Sequence, residues 1–344
     1  MRRINVLLIS TGSLVGQNLL EIFRDSRSHF YLAGTNCLED FHGKSELDQF
    51  FLSPLTNSEA FIPFLKSCFD SFQPDLIIPC RDEEAVLLAK MSEKDPYLKS
   101  KISLTDAGLA EKFEDKFQSH QLCQMLDLPF AKTVLMEKIK EGFDFEFPVI
   151  VKPKKGFASK GVRILIKENQ LKSLNSQKDF ILQEYLGESQ NPLSQMEEFQ
   201  HIGFPLHFSF EEIKYSIQIH LAKRLEDSSW FIGRHLMKNG VSFEVERWVN
   251  PDLEQIAKDS LGKFHPLGFR GPLNIQLQRD RNGSFKIFEF NSRFTGATHA
   301  RYLLGYNELE PVLRDQVGYS PFETPKNSIV KARKVFQTIG ISSL

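Results

Sequence analysis

Buried strands alternate with amphipathic helices through the first third of the chain, and this alternation most constrains the fold. The apolar run INVLLIS (residues 4–10) is typical of a strand buried on both faces of a parallel sheet, and TGSLVGQNLLEIFRDS has helical spacing. FYLAGTN and PDLIIPC continue the strands, and SEAFIPFLKSCFDSF and DEEAVLLAKM the helices. Because such strands require crossover connections, residues 1–110 are predicted to form an open, Rossmann-like parallel sheet with ligand contacts at its carboxyl edge.

After about residue 110 the pattern changes to helices and antiparallel strands. DAGLAEKFEDKFQSHQLCQMLDLPFAKT is predicted to be helical until Pro129 stops it, and FPVIVKPKKGFASKGVRILI to be strand, glycine-rich turn and strand. Further strands are predicted in FILQEYLGE, KYSIQIHLAKR, SSWFIGRHLMK and VSFEVERWV, a helix in DLEQIAKDSLGKF, and a hairpin in GPLNIQLQRDRNGSFKIFEFN. Residues 187–210 have no clean period and are expected to be an inserted loop. The predicted fold class is α/β followed by α+β.

Length and charge narrow the classes of function. A chain of 344 residues suits two or three packed units, and a net charge of −1 with a pI near 6.8 favours neither nucleic acid nor an anionic membrane as partner. The four cysteines lack metal-ligand spacing and are expected to be reduced thiols of a cytoplasmic protein. The opening MRRINVLLIS is expected to be a first strand, because no small-residue cleavage site follows it. No apolar stretch is long enough to span a bilayer.

Two glycines follow the first strand and allow two interpretations. Gly12 and Gly16 are spaced G-x-x-x-G, whereas the dinucleotide-binding fingerprint is G-x-G-x-x-G. A tight strand-to-helix turn explains the pair better than a nicotinamide site does.

The stretch KIFEFNSRFTG (residues 286–296) places polar side chains on one face of a strand that is otherwise apolar. Strand side chains alternate between faces, so Glu289, Asn291 and Arg293 are expected to point one way, and Phe288 and Phe290 the other. A strand with this pattern is expected to hold a polar ligand. The alternative is a polar face open to solvent.

The turn of this hairpin sets the residues that lie opposite the polar set. Asn282-Gly283 is a preferred two-residue type I′ turn, and a turn centred there pairs Gln276 with Glu289. One carboxylate and two side-chain carbonyl oxygens, with Asn291 as the third residue, would then share one surface. Such a set suits Mg²⁺ bridging to the phosphates of a nucleotide.

A second candidate site is VIVKPKKGFASKGV. Lys152 ends an apolar strand, and the glycine-rich loop of residues 155–161 can present backbone N–H groups to an anion. Lys154, Lys155 and Lys160 are expected to be ordinary solvated lysines, whereas Lys152 is not. The order of the residues differs from the Walker P-loop.

In this order, EDK (114–116), FPVIVKP…GFASKGV, LQEYL, GPLNIQ and FEFNSRFTG resemble the ATP-grasp superfamily. The chain is most similar to single-unit relatives of the carbamoyl-phosphate synthase large subunit. The resemblance implies a pre-ATP-grasp domain over residues 1–110, a small lid subdomain over 111–183, and a C-terminal subdomain over 184–344 that carries the metal hairpin.

The same resemblance assigns residues to the nucleotide. Lys116 and Lys152 would contact the ATP phosphates, and the loop over them would contribute Gly156, Ser159 and Gly161. The hinge strand, which takes the adenine by backbone groups, would consist of Gln183, Glu184, Tyr185 and Leu186.

The resemblance also assigns the catalytic and metal roles. Gln276, Glu289 and Asn291 would hold Mg²⁺ or Mn²⁺. Arg293 would face the transferred phosphate and, with Lys152, would be catalytic.

The chain departs from the family pattern after the hinge. Where the family usually has Glu-Tyr-Ser-Val-Asp, this chain has KYSIQ, so Lys214 and Gln218 occupy acidic positions. The carboxylate for the ribose could come from any of Glu184, Glu188, Glu211 and Glu212.

Two further pairs of residues have open roles. Arg234 and His235 lie where relatives often keep a substrate-binding arginine, and could instead be surface residues. Asp82 and Glu83 follow a strand at the ligand edge of the parallel sheet, but the acidic first turn of the next helix is the favoured interpretation.

The activity implied is that of an ADP-forming carboxylate–amine ligase working through an acyl phosphate. Its partners would be small carboxylates and amines, with no nucleic acid or membrane, in the cytoplasm and as a possible homodimer. The alternatives are a non-catalytic nucleotide-binding protein and a carbamoyl-phosphate-synthase-like kinase half that acts with a partner.

Overall fold

The computed structural model describes residues 2–156, 160–172, 174, 178–187, 192–203, 213–238, 240–322 and 328–335. In this part of the chain the strands form three sheets, of four, six and four strands. No helix in these segments is long and apolar enough to cross a membrane.

The first sheet is parallel, as the alternation of strands and helices predicts. Its strand order is β3-β2-β1-β4. The edge strand β3 was not predicted, because its four residues QFFL are too few to show a period. The elements of this unit are β1 (Ile4–Ile9), α1 (Leu14–Arg24), β2 (Phe30–Asn36), β3 (Gln49–Leu52), α2 (Phe61–Phe72), β4 (Leu76–Pro79), α3 (Asp82–Glu93) and α4 (Pro96–Lys99).

The turn from β1 into α1 explains the two glycines by packing. A Cβ on Gly16 would lie 2.1 Å from the carbonyl oxygen of Thr11, and a Cβ on Gly12 would lie 2.9 Å from the amide of Asn36. Only glycine allows so close a contact between the helix and the strands. The interpretation as a tight strand-to-helix turn therefore fits the structure.

Two helices and a four-stranded antiparallel sheet follow. The predicted helical segment is divided at Asp115, whose backbone is extended and whose carboxylate accepts hydrogen bonds from the N–H groups of Phe117 (2.9 Å) and Gln118 (3.1 Å). The sheet order is β5-β8-β6-β7. The elements are α5 (Ala107–Glu114), α6 (Lys116–Met125), β5 (Thr133–Leu135), β6 (Val149–Pro153), β7 (Arg163–Leu165), α7 (Asn169–Lys172) and β8 (Phe180–Glu184).

The third sheet is antiparallel, in the order β13-β12-β9-β10-β11-β14. The expectation of a loop over 187–210 is wrong for residues 192–202, which form a helix; residues 188–191 and 204–210 lie outside the described part of the chain. The elements are α8 (Pro192–Ile202), β9 (Ile213–Leu221), β10 (Ser229–Lys238), β11 (Val241–Arg247), α9 (Pro251–Phe264), β12 (Gly271–Arg279), β13 (Phe285–Asn291), α10 (Thr298–Leu303), α11 (Leu309–Val317) and β14 (Lys331–Arg333).

The two faces of the six-stranded sheet differ in character. One face packs its aliphatic residues under α9 and forms the largest hydrophobic cluster. The other face is polar near β13 and β12 and is covered by α10 near β10, β11 and β14. After β13 the chain returns to the parallel sheet, where Phe294, Tyr302 and Leu309 join its core. The polar face is thereby brought beside the carboxyl edge of the first sheet.

Candidate active site

A cleft between the second and third sheets brings together most of the residues predicted for the nucleotide. It is open on one side, and its described lining comes from α6, from β6 and the turn after it, from β8, and from three strands of the large sheet. The lining residues are Lys116, Ile150, Lys152, Pro153, Lys155, Gly156, Lys160, Val162, Gln183, Leu186, Lys214, Gln278, Phe288 and Glu289.

The charge of this lining is strongly positive. Five lysines and one carboxylate, that of Glu289, are among the described residues of the cleft. Lys155 is held by Glu114, with 2.6 Å between Nζ and Oε2. A cleft with this excess of cations favours a ligand with several negative charges, such as a polyphosphate.

Two of the lysines are buried where the sequence predicts phosphate contacts. Lys116 is 6% exposed, and its Nζ lies 3.2 Å from the carbonyl oxygen of Gly156 and 3.9 Å from Oε1 of Glu289. Lys152 is also 6% exposed, and its Nζ lies 3.4 Å from the carbonyl oxygen of Phe288 and 5.3 Å from the centre of that ring. Both ammonium groups thus lie in the lysine-rich cleft, where the sequence predicts contacts with phosphate.

The glycine-rich turn has the backbone shape that glycine permits. Gly156 and Gly161 have φ of 138° and 77°, outside the range that other residues readily adopt. A Cβ on Gly161 would lie 3.2 Å from Cγ of Pro153. The tip of the turn, with the predicted contact Ser159, lies outside the described residues.

The hinge residues divide between the cleft and the packing behind it. Gln183 and Leu186 line the cleft, and the Gln183 amide donates to Oγ1 of Thr133 at 2.9 Å. Tyr185 is buried in a small cluster with Ile150.

The Glu184 carboxylate contacts the backbone beside β5, and Glu184 is absent from the described lining of the cleft. It accepts a hydrogen bond of 2.7 Å from the N–H of Lys132, and burial raises its pKa. Among the carboxylates considered for the ribose, the geometry gives Glu184 no support, and Glu188, Glu211 and Glu212 lie outside the described residues.

The metal hairpin has the predicted pairing at the site and a different turn. Gln276 lies opposite Glu289, and Asn274 opposite Asn291. The loop, however, has three residues between Asp280 and Ser284, with Gly283 at φ 82°, so the two-residue type I′ turn is wrong.

A β-bulge compensates for the longer loop. Near the turn Leu277 pairs with Ile287, one residue out of step with the pairs at the site, and the ladder shifts between Gln276 and Leu277. The extra residue is Phe288. The expectation that Phe288 packs away from the polar set is therefore wrong: its ring lines the cleft, while Phe290 is buried in the core as predicted.

The oxygens of Gln276, Glu289 and Asn291 come from alternate positions of two paired strands, so they share the polar face. The Glu289 side chain is 23% exposed, and Asn291 is buried. No group of three or more His, Cys, Asp or Glu residues suited to a metal occurs in the described segments. A set of one carboxylate and two amides leaves room for phosphate and water oxygens and fits Mg²⁺ or Mn²⁺.

Arg293 joins this strand to the first unit. Its guanidinium forms an ion pair with Asp82 at the start of α3 and donates to Oδ1 of Asn291 at 3.2 Å. Asp82 thus lies in the acidic first turn of α3, as favoured from the sequence. Its ion pair with Arg293, which orients the guanidinium, was not predicted from the sequence. Glu83 is exposed.

The geometry separates the two residues considered for the substrate. Arg234 bonds to Glu246 at 2.7 Å and lies 5.4 Å from the Trp248 ring, on the face away from the metal set, so the structure contradicts its placement in the site. The reason is strand alternation: Arg234 pairs with Tyr215, and Tyr215 belongs to the core under α9.

His235 points to the polar face but has both ring nitrogens occupied. Nε2 lies 2.7 Å from Oγ of Ser216, and Nδ1 lies 2.7 Å from Oγ of Ser242. Burial, together with the charges of neighbouring cations, lowers the pKa of His235 to about 3. His235 is therefore neutral and fixed in place.

One curated protein and several solved structures are similar to this chain, and two of them are named as ligases. No family model matches the chain. A D-aspartate ligase of Enterococcus faecium (strain Aus0004) is 24% identical over 74% of this chain and 61% of its own length. The chain therefore spans about three fifths of the length of this curated relative.

Solved structures of an amino acid ligase, a synthetase and a carboxylase share the fold across nearly the whole chain. An L-amino acid ligase from Bacillus licheniformis has a TM-score of 0.67 at 15% identity, covering 92% of this chain and 75% of the ligase. An N5-carboxyaminoimidazole synthetase from Staphylococcus aureus, complexed with ADP, has a TM-score of 0.69 at 13% identity, covering 93% and 79%. A biotin carboxylase from Campylobacter jejuni has a TM-score of 0.65 at 13% identity, covering 94% and 73%. At sequence identities of 13–15%, the structural similarity shows the fold alone.

Proposed function

Since the chain has the ATP-grasp fold expected from its sequence, we propose that it is an ATP-dependent carboxylate–amine ligase. The carrying observation is that Lys116, Lys152 and Glu289 line one lysine-rich cleft, with 3.9 Å between Nζ of Lys116 and Oε1 of Glu289. That arrangement supports a site in which the two lysines hold phosphate and the oxygens of Gln276, Glu289 and Asn291 hold a metal ion. Two of the similar proteins are named as ligases, a D-aspartate ligase and an L-amino acid ligase, and these names support ligation as the chemistry.

The proposed reaction has two steps. A carboxylate oxygen of the substrate attacks the γ-phosphorus of ATP, and the bond to the β–γ bridging oxygen breaks to release ADP. The nitrogen of an amine then attacks the acyl carbon; the acyl–phosphate bond breaks, phosphate leaves, and the amine loses a proton to phosphate or solvent. No side-chain nucleophile is required.

The residues of the chain act by position and charge. Lys116 and Lys152 hold the phosphates, and Arg293, oriented by Asp82, stabilises charge on the transferred phosphoryl group. Gln276, Glu289 and Asn291 would hold Mg²⁺ or Mn²⁺, which supplies further neutralisation of phosphate charge when bound. The side chains of Ile150, Leu186 and Phe288 provide the apolar part of the cleft for the base.

The proposal names the substrates by class, as a carboxylate and an amine. The name of the curated relative makes D-aspartate the first compound to test. The four free cysteines suit the cytoplasm as the compartment.

A second candidate is a nucleotide-binding protein without catalysis. It is favoured by Lys214 and Gln218, which stand where the family usually has acidic residues; Lys214 lines the cleft 5.3 Å from the Phe288 ring. The intact oxygen set around Glu289 favours the ligase instead.

A screen for ADP release separates the two candidates. The protein is mixed with ATP, Mg²⁺, pooled D- and L-amino acids and pooled small carboxylic acids, with the Glu289→Gln variant as control. The ligase predicts ADP release that requires the pools and is lost in the variant. Nucleotide binding without turnover in any pool would contradict it and support the second candidate.

A further inference from the structure

A group of polar side chains, four of them buried and one half-buried, lies beneath α10, on the same face of the large sheet as the metal set. We call Gln218, His235, Arg301, Glu308 and Lys334 the α10 cluster. Gln218 is on β9, His235 is on β10, and Arg301 is on α10 itself. Lys334 follows β14 with the same alternation as Ala332, which packs under α10.

Arg301 uses only part of its hydrogen-bonding capacity. It is 1% exposed; its Nε bonds to Glu308, and its Nη2 donates to the hydroxyls of Thr295 (2.8 Å) and Thr298 (3.2 Å). Its Nη1 is buried and has no partner in the described chain. A guanidinium held so firmly, with one nitrogen unused, has the geometry of a preformed donor.

Two other donors of the cluster are in the same condition. Gln218 is fully buried; its Oε1 accepts from Nδ2 of Asn274 at 3.0 Å, but its Nε2 has no partner among the residues described. The buried Nζ of Lys334 also lacks one within that part of the chain. Leaving such groups unpaired is expensive, since each keeps its full desolvation cost.

The charges of the cluster do not balance. Arg301 and Lys334 are cations, Glu308 is the one carboxylate of the set, and His235 is neutral with its ring nitrogens on Ser216 and Ser242. Burial and the charge of Arg301 both lower the pKa of Lys334, to about 8. One acceptor, Oε2 of Glu308, is also unpartnered in the described segments, but Glu308 already neutralises Arg301. The remaining excess is positive.

The cluster is continuous with the metal set. Asn291 pairs across the sheet with Asn274, and Asn274 pairs with Gln218. These three residues form one row on the polar face, and the row leads from the metal set to Gln218, whose Nε2 has no partner in the described chain.

We propose that the α10 cluster binds the carboxylate of an α-amino acid whose amino group is the nucleophile of the reaction. The inference rests on the proposed ligase function and names one of its substrate classes. Nη1 of Arg301, Nζ of Lys334 and Nε2 of Gln218 donate to the carboxylate oxygens, which balances the buried charge. A carboxamide of the same amino acid keeps the nucleophile and lacks the charge.

Kinetics with paired substrates test this assignment. The amino acid that best supports ADP release is compared with its carboxamide by kcat/KM. The comparison is made in the wild type, in Lys334→Met and in the control Lys331→Met. Lys331 is exposed and paired with Glu244 and Glu246. We expect the carboxamide to be at least about tenfold poorer, and Lys334→Met to lower the value for the acid about tenfold without changing that for the carboxamide or the KM for ATP. Equal use of acid and carboxamide, or an equal loss for both in the variant, overturns the proposal.

Thermal unfolding gives a second readout that does not depend on turnover. If Lys334 awaits an anion, Lys334→Met without ligand should unfold at the wild-type temperature or above it, because an unpaired buried charge is removed. Pooled amino acids should raise the Tm of the wild type but not of the variant, and pooled carboxamides should raise neither. A lower Tm for the variant, no shift with amino acids, or a shift with inorganic phosphate alone overturns the proposal.

The two readouts separate this inference from the proposed function. If no pool supports ADP release, the ligase function fails. A rise in Tm with amino acids that disappears in Lys334→Met would still support the carboxylate site.

Discussion

At the scale of single residues, Lys152 carries the clearest prediction for nucleotide binding. Replacing it with Met keeps most of the length of the side chain and removes a buried cation that faces the cleft. We expect affinity for ADP, measured by calorimetry, to fall roughly 10- to 100-fold, because hydrogen bonds to charged groups contribute about 1.5–3 kcal/mol.

A matched control is available two residues away. Lys154 is paired with Asp179 at 3.2 Å and is absent from the described lining of the cleft. Lys154→Met should leave ADP affinity unchanged. Equal affinities for the wild type and the Lys152 variant would remove the phosphate role.

Glu289 carries the prediction for the metal. Glu289→Gln keeps the shape and removes the only carboxylate in the described lining of the cleft, so Mg²⁺-dependent ATP turnover should be lost. Stability should change by less than about 1 kcal/mol, because the pair with Lys116 is long at 3.9 Å and Glu289 is partly exposed. Glu246→Gln, on the opposite face of the sheet, is the control. Turnover that survives in Glu289→Gln at the wild-type rate contradicts the metal assignment.

The sequence could identify these residues because local rules govern them. A lysine in an apolar strand and polar residues at alternate positions are visible without a structure, as Lys152 and Glu289 show. Arg301 and Lys334 were not identified, because their environment is created by α10 and β14, which pack on the large sheet at β11 from far along the chain. No local pattern records such contacts.

At the scale of elements, the bulge in β13 makes a prediction that separates two phenylalanines. Phe290 is 3% exposed in the core, whereas Phe288 lines the cleft. Phe290→Ala should lower the free energy of unfolding by about 3–5 kcal/mol. Phe288→Ala should cost much less stability but weaken ADP binding, measured by denaturant unfolding and calorimetry. The reverse pattern would contradict the bulge.

The start of α3 makes a prediction about pH. Glu84 is fully buried; it accepts hydrogen bonds from Ser10 and from the N–H groups of Cys80 and Arg81, and burial raises its pKa to about 7. Because the folded state holds the proton more tightly than the unfolded state, the stability that Glu84 contributes is present below about pH 4.5 and is lost as pH rises to about 7.

The variant Glu84→Gln isolates this effect, since the amide can still accept from the backbone and is not ionised. Between pH 4.5 and 7 the unfolding free energy of the wild type should fall relative to the variant, by an amount on the order of 3 kcal/mol for a shift to about 7. Urea unfolding of both proteins across this range measures the difference. A difference that does not vary with pH would show that Glu84 titrates normally.

Elements were predictable from the sequence where the hydrophobic pattern was long and turn residues marked its ends. β12 and β13 and the pairing of Gln276 with Glu289 were found, but the three-residue loop and the bulge were not. Each changes the register by one residue, in opposite directions, so the pairing at the site is right although the turn is wrong. The bulge at Phe288 has no fixed sequence signature, so the sequence of one hairpin does not reveal it.

At the scale of the whole molecule, the described residues form three sheets: the second and third enclose the cleft, and the first meets the polar face of the third. The ion pair of Arg293 with Asp82 and the packing of Phe294 against the first unit connect the metal strand to the parallel sheet. The order of α/β and α+β regions was predictable from periodicity. The return of residues 294–322 to the first unit was not, because it depends on contacts between distant segments.

The central claim is that a carboxylate is activated as an acyl phosphate. The most direct measurement is mass spectrometry of the products of ATP with pooled amino acids and small carboxylic acids whose carboxylates carry oxygen-18, using the Glu289→Gln variant as blank. We predict ADP and inorganic phosphate that contains one oxygen-18 atom, because the carboxylate oxygen that attacks phosphorus leaves with the phosphate. Oxygen-18 in AMP together with pyrophosphate, or ADP with unlabelled phosphate alone, would contradict the account.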